Sequence, residues 1–460
     1  MEPEEAPPAD FNPLLEAVKY WGNWVLEEAR KELAPFYPVD ADGSIPVGYL
    51  WARTIPCQNP ACGAEIPLMR QFWLAKKKNR QIALHPVVRE GRVEFEIVAR
   101  GSKAAGRRGL PSYSPWPDGF DPSRGTVRRA VATCPVCGGT VDAKTTRRLF
   151  REGEAGQRMV AVVTTRPGVR GKLYRLPTAA DREAYAAAER ALAEKRAALR
   201  DAWGMDPVPN EPLPPKGTLG FRVQGYGIET WGDLFNPRQQ LALITFAEKV
   251  REAHERMVAE GYEPEFAKAV ATYLALVIDE LSRFTSTLNP WKVDAEAIVH
   301  VFGRQALPML WDYDENNPLG MHGGTWTNRI KEMISVWGNI SDLCRPPAVV
   351  TCSSATRLPY PDAYFDAVLT DPPYYDNVPY AYLSDFFYVW LKRTVGHLYP
   401  DLFATPLTPK GEEIVAYTRR EGGFEAGKRL FEERLARAFR EIHRVLKPDG
   451  IAVIVYAYKT

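Results

Sequence analysis

The sequence predicts an α/β fold, and three observations carry that prediction. A short apolar run, Phe365-Asp366-Ala367-Val368-Leu369-Thr370, reads as a buried strand that runs directly into Asp371-Pro372-Pro373-Tyr374. Upstream, Ala348-Val349-Val350-Thr351 reads as another strand, followed by a turn at Ser353-Ser354-Ala355 and a surface loop over Leu358-Pro359-Tyr360-Pro361-Asp362. Downstream, Arg429 to Val445 has helical periodicity with Leu430, Phe431, Leu435, Phe439 and Ile442 on one face; Lys447-Pro448-Asp449-Gly450 then breaks it, and Ile451 to Tyr456 reads as a buried strand.

Taken in chain order, the first 48 residues predict a helical segment. Residues 49–180 predict an inserted metal ribbon. Cys57 and Cys62 form one pair and Cys134 and Cys137 a second, and a glycine, Gly63 or Gly138, follows each pair. Four thiolates in two knuckles are the donor set of a closed tetrahedral Zn2+ site, and glycine permits the sharp turn beneath the ion. The first pair has four intervening residues where two are usual. Buried or redox-active cysteines are the alternative. Cys344 and Cys352 lack such partners and read as small core residues. Between the knuckles, strand-like alternation (Phe95-Glu96-Ile97-Val98) gives way to Gly- and Pro-rich loops that carry Tyr113 and Trp116.

Residues 181–345 predict a helical region. Asp181 to Trp203 reads as a long exposed helix capped by Thr178 or Asp181, Pro207 to Pro215 as a linker, and Arg238–Glu260 and Glu265–Thr287 as two further helices. Arg238 near a helix start is a candidate phosphate contact, with simple capping by Asn236 as the alternative. Trp311, Trp326 and the loop Gly320 to Gly324 are candidate walls of a target pocket, or packing. His322 and the other five histidines show no ligand spacing.

Residues 346–460 carry the chemistry. An exocyclic amine is a poor nucleophile because its lone pair is delocalised into the ring. A carboxylate (Asp371) and a carbonyl held by Pro372 and Pro373, which fix φ and offer no competing N–H, would accept its two hydrogens and localise that lone pair. The ring of Tyr374 would stack on a base turned out of its helix. The same tetrapeptide is also an ordinary way to end a strand. Tyr375, Asp376, Asn377, Tyr380 and Tyr382 lead into a helix near Leu383 to Lys392; Asp376 and Asn377 are candidates for reading a base edge or for capping that helix.

At this point the chain resembles a family. Asp371 to Arg393, the preceding SSATRLPYPDAYFDAVLT, and Phe302 to Pro318 are similar to the adenine-specific DNA methylases that contain a zinc ribbon, found in prokaryotic defence and restriction-modification loci. The resemblance implies an incomplete Rossmann-like S-adenosylmethionine methyltransferase fold with an inserted zinc ribbon and a helical region. It implies N6 methylation of adenine in DNA, Asp371, Pro372, Pro373 and Tyr374 at the target amine, and Asp10, Ser354 and Ala355 toward the S-adenosyl-L-methionine cofactor. Transfer would be direct, with the sulfonium already activated and no covalent enzyme intermediate.

One part of the family pattern is missing. The glycine-rich loop that the resemblance implies ahead of the ribbon, where only glycine lets the backbone approach the cofactor, is not in this sequence. The reading is therefore of a fragment or split gene that a complementing methyltransferase segment, or other defence-system subunits, would complete. Strands beside the gap should then leave backbone groups unpaired. The alternatives are a zinc-ribbon nucleic-acid-binding protein with a non-catalytic methyltransferase remnant, and methylation of RNA or of a protein amide.

Composition sets outer bounds. The chain has 460 residues, 45% of them hydrophobic, ample for two or three domains, and a formal net charge of +2 that neither demands nor excludes nucleic acid. The basic residues cluster: Arg70, Lys76, Lys77, Lys78 and Arg80; Arg100, Lys103, Arg107 and Arg108; Arg128, Arg129, Arg147 and Arg148. Such clusters bind phosphates or simply face water, and the ribbon module either touches DNA or braces the catalytic part. No stretch is long and apolar enough to cross a bilayer, and the acidic start (Glu2, Glu4, Glu5) lacks signal-peptide order, so a cytoplasmic protein is the expectation.

Overall fold

A computed structural model describes residues 12–101, 112–340, 348–375, 378–416 and 423–456. The described residues begin at Asn12. It caps helix α1 (Pro13–Leu33), its Oδ1 accepting from the Leu15 N–H at 3.2 Å, with Pro13 in the first turn where its missing N–H costs nothing. Strand β1 (Ile45–Pro56) follows, so residues 45–48 are not helical. β2 (Glu65–Leu68), β3 (Trp73–Lys77), β4 (Arg80–Arg89), β5 (Arg92–Arg100) and β6 (Ser114–Pro115) come next, then the short strands β7 (Val127–Arg128), β8 (Val131–Thr133) and β9 (Thr140–Val141).

Helix α2 (Ala143–Arg151), strands β10 (Gly156–Thr165) and β11 (Leu173–Arg175), and helix α3 (Ala179–Trp203) complete the next stretch. Thr178 is the cap of α3. Its hydroxyl accepts from the Asp181 N–H while the Asp181 carboxylate accepts from the Thr178 N–H, a reciprocal capping box. Helices α4 (Pro237–Ala259) and α5 (Pro264–Arg283) lead to β12 (Trp291–Lys292), β13 (Ala297–Ile298), β14 (Asp312–Asn316) and α6 (Trp326–Ile340). Last come β15 (Phe365–Thr370), α7 (Tyr380–Val395), α8 (Gly423–Val445) and β16 (Leu446–Ile454).

The architecture is mixed α/β, and its organising element is β1. It pairs antiparallel with β10 along nearly its whole length, with β14 over Gly48–Ala52 and with β2 over Arg53–Pro56. The segment 49–180 and the segment 181–345 therefore share one sheet. Alternation along β1, interrupted by an irregularity between Pro46 and Gly48, gives it two faces. Tyr49 and Trp51 point into the main core, where α1, α3, α4, α5, α6 and α7 bury Trp21, Leu192, Phe246, Leu274, Trp326 and Trp390. Val47, Leu50 and Ala52 point the other way, onto the antiparallel β3–β4–β5 layer with Leu74, Ile82, Leu84 and Ile97. Helices cover one face of β1 and the β3–β4–β5 layer covers the other, and burial of the apolar side chains on both sides stabilises the arrangement.

The β15–β16 part has a different character. β15 and β16 form a two-stranded parallel sheet, with Phe365 opposite Leu446 and Ala367 opposite Ile451. Lys447-Pro448-Asp449-Gly450, expected as a turn, instead bulges opposite Asp366, where the Lys447 ammonium meets the Asp366 carboxylate at 2.6 Å. Neither strand is buried: Leu369 is 75% and Ile451 65% exposed. The buried strands expected at 365–370 and 451–456 are thus strands without burial. The strand expected at Ala348 to Thr351 does not form, and Val349 and Val350 stand almost fully in solvent. Among the described residues β15 has one strand partner, and no Rossmann-like multistranded parallel sheet is present. None of the apolar clusters draws on β15, α8 or β16. Among the described residues no helix is long and apolar enough to cross a membrane.

Candidate functional site

The four knuckle cysteines converge. Their sulfurs all lie within 4.8 Å of one another, with Cys57 Sγ 3.7 Å from Cys137 Sγ and Cys62 Sγ 3.8 Å from Cys134 Sγ. Four sulfurs at the usual Zn–S distance of about 2.3 Å stand roughly 3.8 Å apart along the tetrahedron edges, so these two separations match and the cluster is compatible with a zinc ion. The backbone explains how. The Cys57 N–H donates to the Ala64 carbonyl and the Cys134 N–H to the Gly139 carbonyl, each at 2.8 Å, folding both pairs into tight knuckles. Gly63 (φ 60°) and Gly138 (φ 73°) take the left-handed conformation those turns need. The longer first knuckle is closed by Asn59, whose carbonyl accepts from the N–H groups of Cys62 and Gly63.

Free of metal, the thiols are unequal. Burial pushes Cys57 up to about 12, whereas the Gly139 N–H, donating to Sγ at 3.4 Å, brings Cys137 down to about 7. Beneath the cluster lies a small apolar core of Ile55, Ile66, Leu68, Val127, Ala132, Val141, Leu149 and Trp311. Cys352, expected in a core, is exposed; Cys344 lies outside the described residues.

Asp371 sits immediately after the carboxyl end of β15 and is exposed, with Pro372 buried behind it and Pro373 and Tyr374 half-buried. The Asp371 carboxylate accepts a hydrogen bond from the Tyr374 hydroxyl and so raises that phenol's pKa. The Tyr374 ring meets Tyr456 edge-on at 5.8 Å, and the Val455 N–H donates to the Thr370 carbonyl at 2.9 Å, fixing the strand end from which the tetrapeptide projects. The carboxylate thus reaches solvent from a held backbone. Asp376 and Asn377 lie outside the described residues; the helix after them, α7, runs from Tyr380 and packs Phe386, Val389 and Trp390 into the main core.

Of the residues assigned to the cofactor, Ser354 and Ala355 are described. Asp10 lies outside the described residues. Ser354 Oγ is engaged with Thr356 Oγ1 at 2.8 Å and with its N–H at 3.3 Å, and Ala355 is exposed in the same irregular turn. These residues assemble no cradle for S-adenosylmethionine.

Several sequence candidates turn out to be structural. Arg238 contacts no solvent; it is paired with Glu315. Trp326 stacks on Phe246 with centroids 4.7 Å apart and donates from Nε1 to the Gly22 carbonyl. Tyr113 accepts from the Tyr174 N–H, and Trp116 packs between Trp73 and the Arg100 guanidinium. Among the basic clusters, Lys77 and Arg80 both pair with Glu296, and Arg148 with Glu152 and Glu154. His322 is half-buried, its Nε2 lies 2.7 Å from Asn316 Oδ1, and desolvation brings its pKa down to about 3.

One cavity went unread in the sequence. It measures about 650 Å³ and lies beside the cysteine cluster, lined in part by Arg129, Arg147, Lys216, Arg222, Tyr226 and Trp311. Its residues come from four separate stretches, of which the sequence marks Arg129 and Arg147 as part of a basic cluster and Trp311 as a candidate pocket wall. Comparison with family models, with curated proteins and with solved structures finds no match.

Proposed function

We propose that this chain supplies the target-amine half of an S-adenosylmethionine-dependent methyltransferase acting on adenine N6 in DNA, with a structural zinc ion in the four-cysteine cluster. The single observation that carries the reading is the placement of Asp371-Pro372-Pro373-Tyr374 at the carboxyl end of a parallel strand, where its carboxylate faces solvent from a fixed backbone. Ligands of parallel α/β sheets collect at that end. Asp371 Oδ and the carbonyl held between the prolines would accept the two amine hydrogens, and Tyr374 would release Asp371 to stack on the base.

The methyl donor is the part of the reaction this chain's described residues do not accommodate, so the reading assigns its binding to a complementing polypeptide. The zinc is kept out of the chemistry. Four thiolates close the coordination shell, leaving no open position for a substrate. Its part is to order the ribbon.

The test is transfer of a labelled methyl group to adenine-containing duplex DNA, by the chain together with the proteins that co-purify from its native host. Asp371→Ala should abolish transfer while zinc content stays at the wild-type level. Undiminished transfer by that variant would remove Asp371 from the reaction. Transfer to RNA or to a glutamine-containing peptide in place of DNA would move the substrate to another amine.

A further inference from the structure

The cavity beside the cysteine cluster is walled by cations that the protein does not neutralise. Arg129, Arg147, Lys216 and Arg222 are all exposed at its rim, and among the described residues none of them makes an ion pair. Some other surface cations are paired, as in Arg148 with Glu152 or Arg196 and Arg200 with Asp206. No carboxylate lines the cavity. Like charges held in one concave site raise the folding cost unless an anion enters.

Two further features point to what enters. Arg129 and Ala130 form the two-residue turn between β7 and β8, with Val127 opposite Ala132 and Arg128 opposite Val131. Both turn residues have positive φ, 51° and 66°. Such a turn normally takes Asn-Gly or Gly-Gly, and an arginine and an alanine there are strained. The turn carries Arg129 to the cavity rim. Two largely buried rings lie beneath it: Tyr226 and Trp311, each under a tenth exposed, meet edge to face at 5.2 Å, and the Arg147 guanidinium stands 5.8 Å from the Tyr226 centroid.

We propose that this cleft binds a nucleic-acid single strand, its phosphates on Arg129, Arg147, Lys216 and Arg222 and its bases toward Tyr226 and Trp311. Cations interleaved with rings suit a strand whose phosphates alternate with flat bases, whereas an acidic peptide would gain nothing from the rings. The volume admits a nucleotide with room to spare. The cleft is built by the ribbon, α2 and the 216–226 and 308–311 segments, and the inference stands whether or not Asp371 methylates anything.

The experiment is fluorescence anisotropy of a labelled short oligothymidylate with the full-length, zinc-loaded chain over a range of salt. Wild type should bind, with log K falling against log salt by about 0.7 for each phosphate neutralised. The variant Arg129→Ala/Arg147→Ala/Arg222→Ala should bind about tenfold or more weakly, with a slope shallower by about 2. Arg147→Glu alone, on the exposed face of α2, tests the same point if the triple variant fails to fold. Arg182→Ala/Arg190→Ala on α3 should bind as wild type. Unchanged binding by both cleft variants, a salt slope near zero, or displacement of the oligonucleotide by polyglutamate at equal charge would overturn the proposal. Asp371→Ala should leave the isotherm untouched, so failed methyl transfer with intact cleft binding strikes the methylation reading alone.

Discussion

Arg238 and Glu315 face each other through two parallel hydrogen bonds of 2.7 and 2.9 Å, and neither side chain reaches water. The pair joins α4 to β14. Tyr49 lies 3.9 Å beneath the guanidinium, the Arg238 Nη1 donates to the Phe36 carbonyl, and the Trp51 indole N–H donates to Glu315 Oε2 at 2.6 Å. Removing one partner strands the other charge in an apolar core. Arg238→Ala should cost about 3–5 kcal/mol in urea unfolding. The double replacement Arg238→Met/Glu315→Leu should cost clearly less, and a double variant as unstable as the single one would mean the pair contributes more than it loses by desolvation.

Metal analysis should find one zinc per chain. Cys134→Ser should lose it, whereas Cys352→Ser, exposed and distant in sequence from both knuckles, should keep it. Chelation should unfold the ribbon, since binding energy at such sites is folding energy. A wild-type melting temperature that does not move under chelator would contradict this.

Asp314 should give the protein an unusual pH response. Burial raises its pKa from 3.8 to about 8, with Lys172 lowering and Glu315 raising it less, and its Oδ1 has no hydrogen-bond partner. A carboxyl whose folded pKa lies above its unfolded one stabilises fully below pH 3.8 and loses that contribution as pH rises through about 8. Asp314→Asn should flatten the fall in stability across this window, by an amount on the order of a few kcal/mol. Parallel stability curves for the two proteins would dismiss the effect.

Gly125 has backbone where a side chain would go. A Cβ there would stand 2.0 Å from the Met69 carbonyl oxygen and 2.4 Å from the Arg70 carbonyl carbon. Gly125→Ala should therefore destabilise by about 1–3 kcal/mol or more, read as a lower denaturant midpoint. No drop in midpoint would show that the 67–70 segment yields freely.

The exposed apolar side chains of β15 and β16 should bind dye and promote association. Leu369→Lys/Ile451→Lys should lower anilinonaphthalene sulfonate fluorescence and raise solubility while leaving circular dichroism unchanged. Equal dye fluorescence in both proteins would place the sticky surface elsewhere.

Local signals and long-range pairings were not equally legible in the sequence. The cysteine cluster could be read because ligand type, spacing and the following glycines are all local. So could α3, α4, α5, α8 and the strands at 365 and 451, which rest on periodicity and caps. What periodicity does not encode is partners. The pairing of β1 with β10 and β14 joins residues more than a hundred positions apart, and nothing in Ala348 to Thr351, apolar and β-branched, announces that its neighbours leave it in solvent. Arg238 misled for the same reason: a helix-start arginine and a buried ion-pair arginine look alike until Glu315 arrives beside it. The cleft of four cations was invisible because Lys216 and Arg222 belong to no basic run.

β1 imposes an order of events on synthesis. It emerges early, yet its hydrogen bonds to β14 reach Asn316, so one edge of this plank waits while more than two hundred further residues are translated. Long-range pairing of this kind is slow, and an unfilled edge on a growing chain invites the wrong neighbour. A nascent polypeptide of this design needs either a chaperone at that edge or a ribosome that finishes quickly.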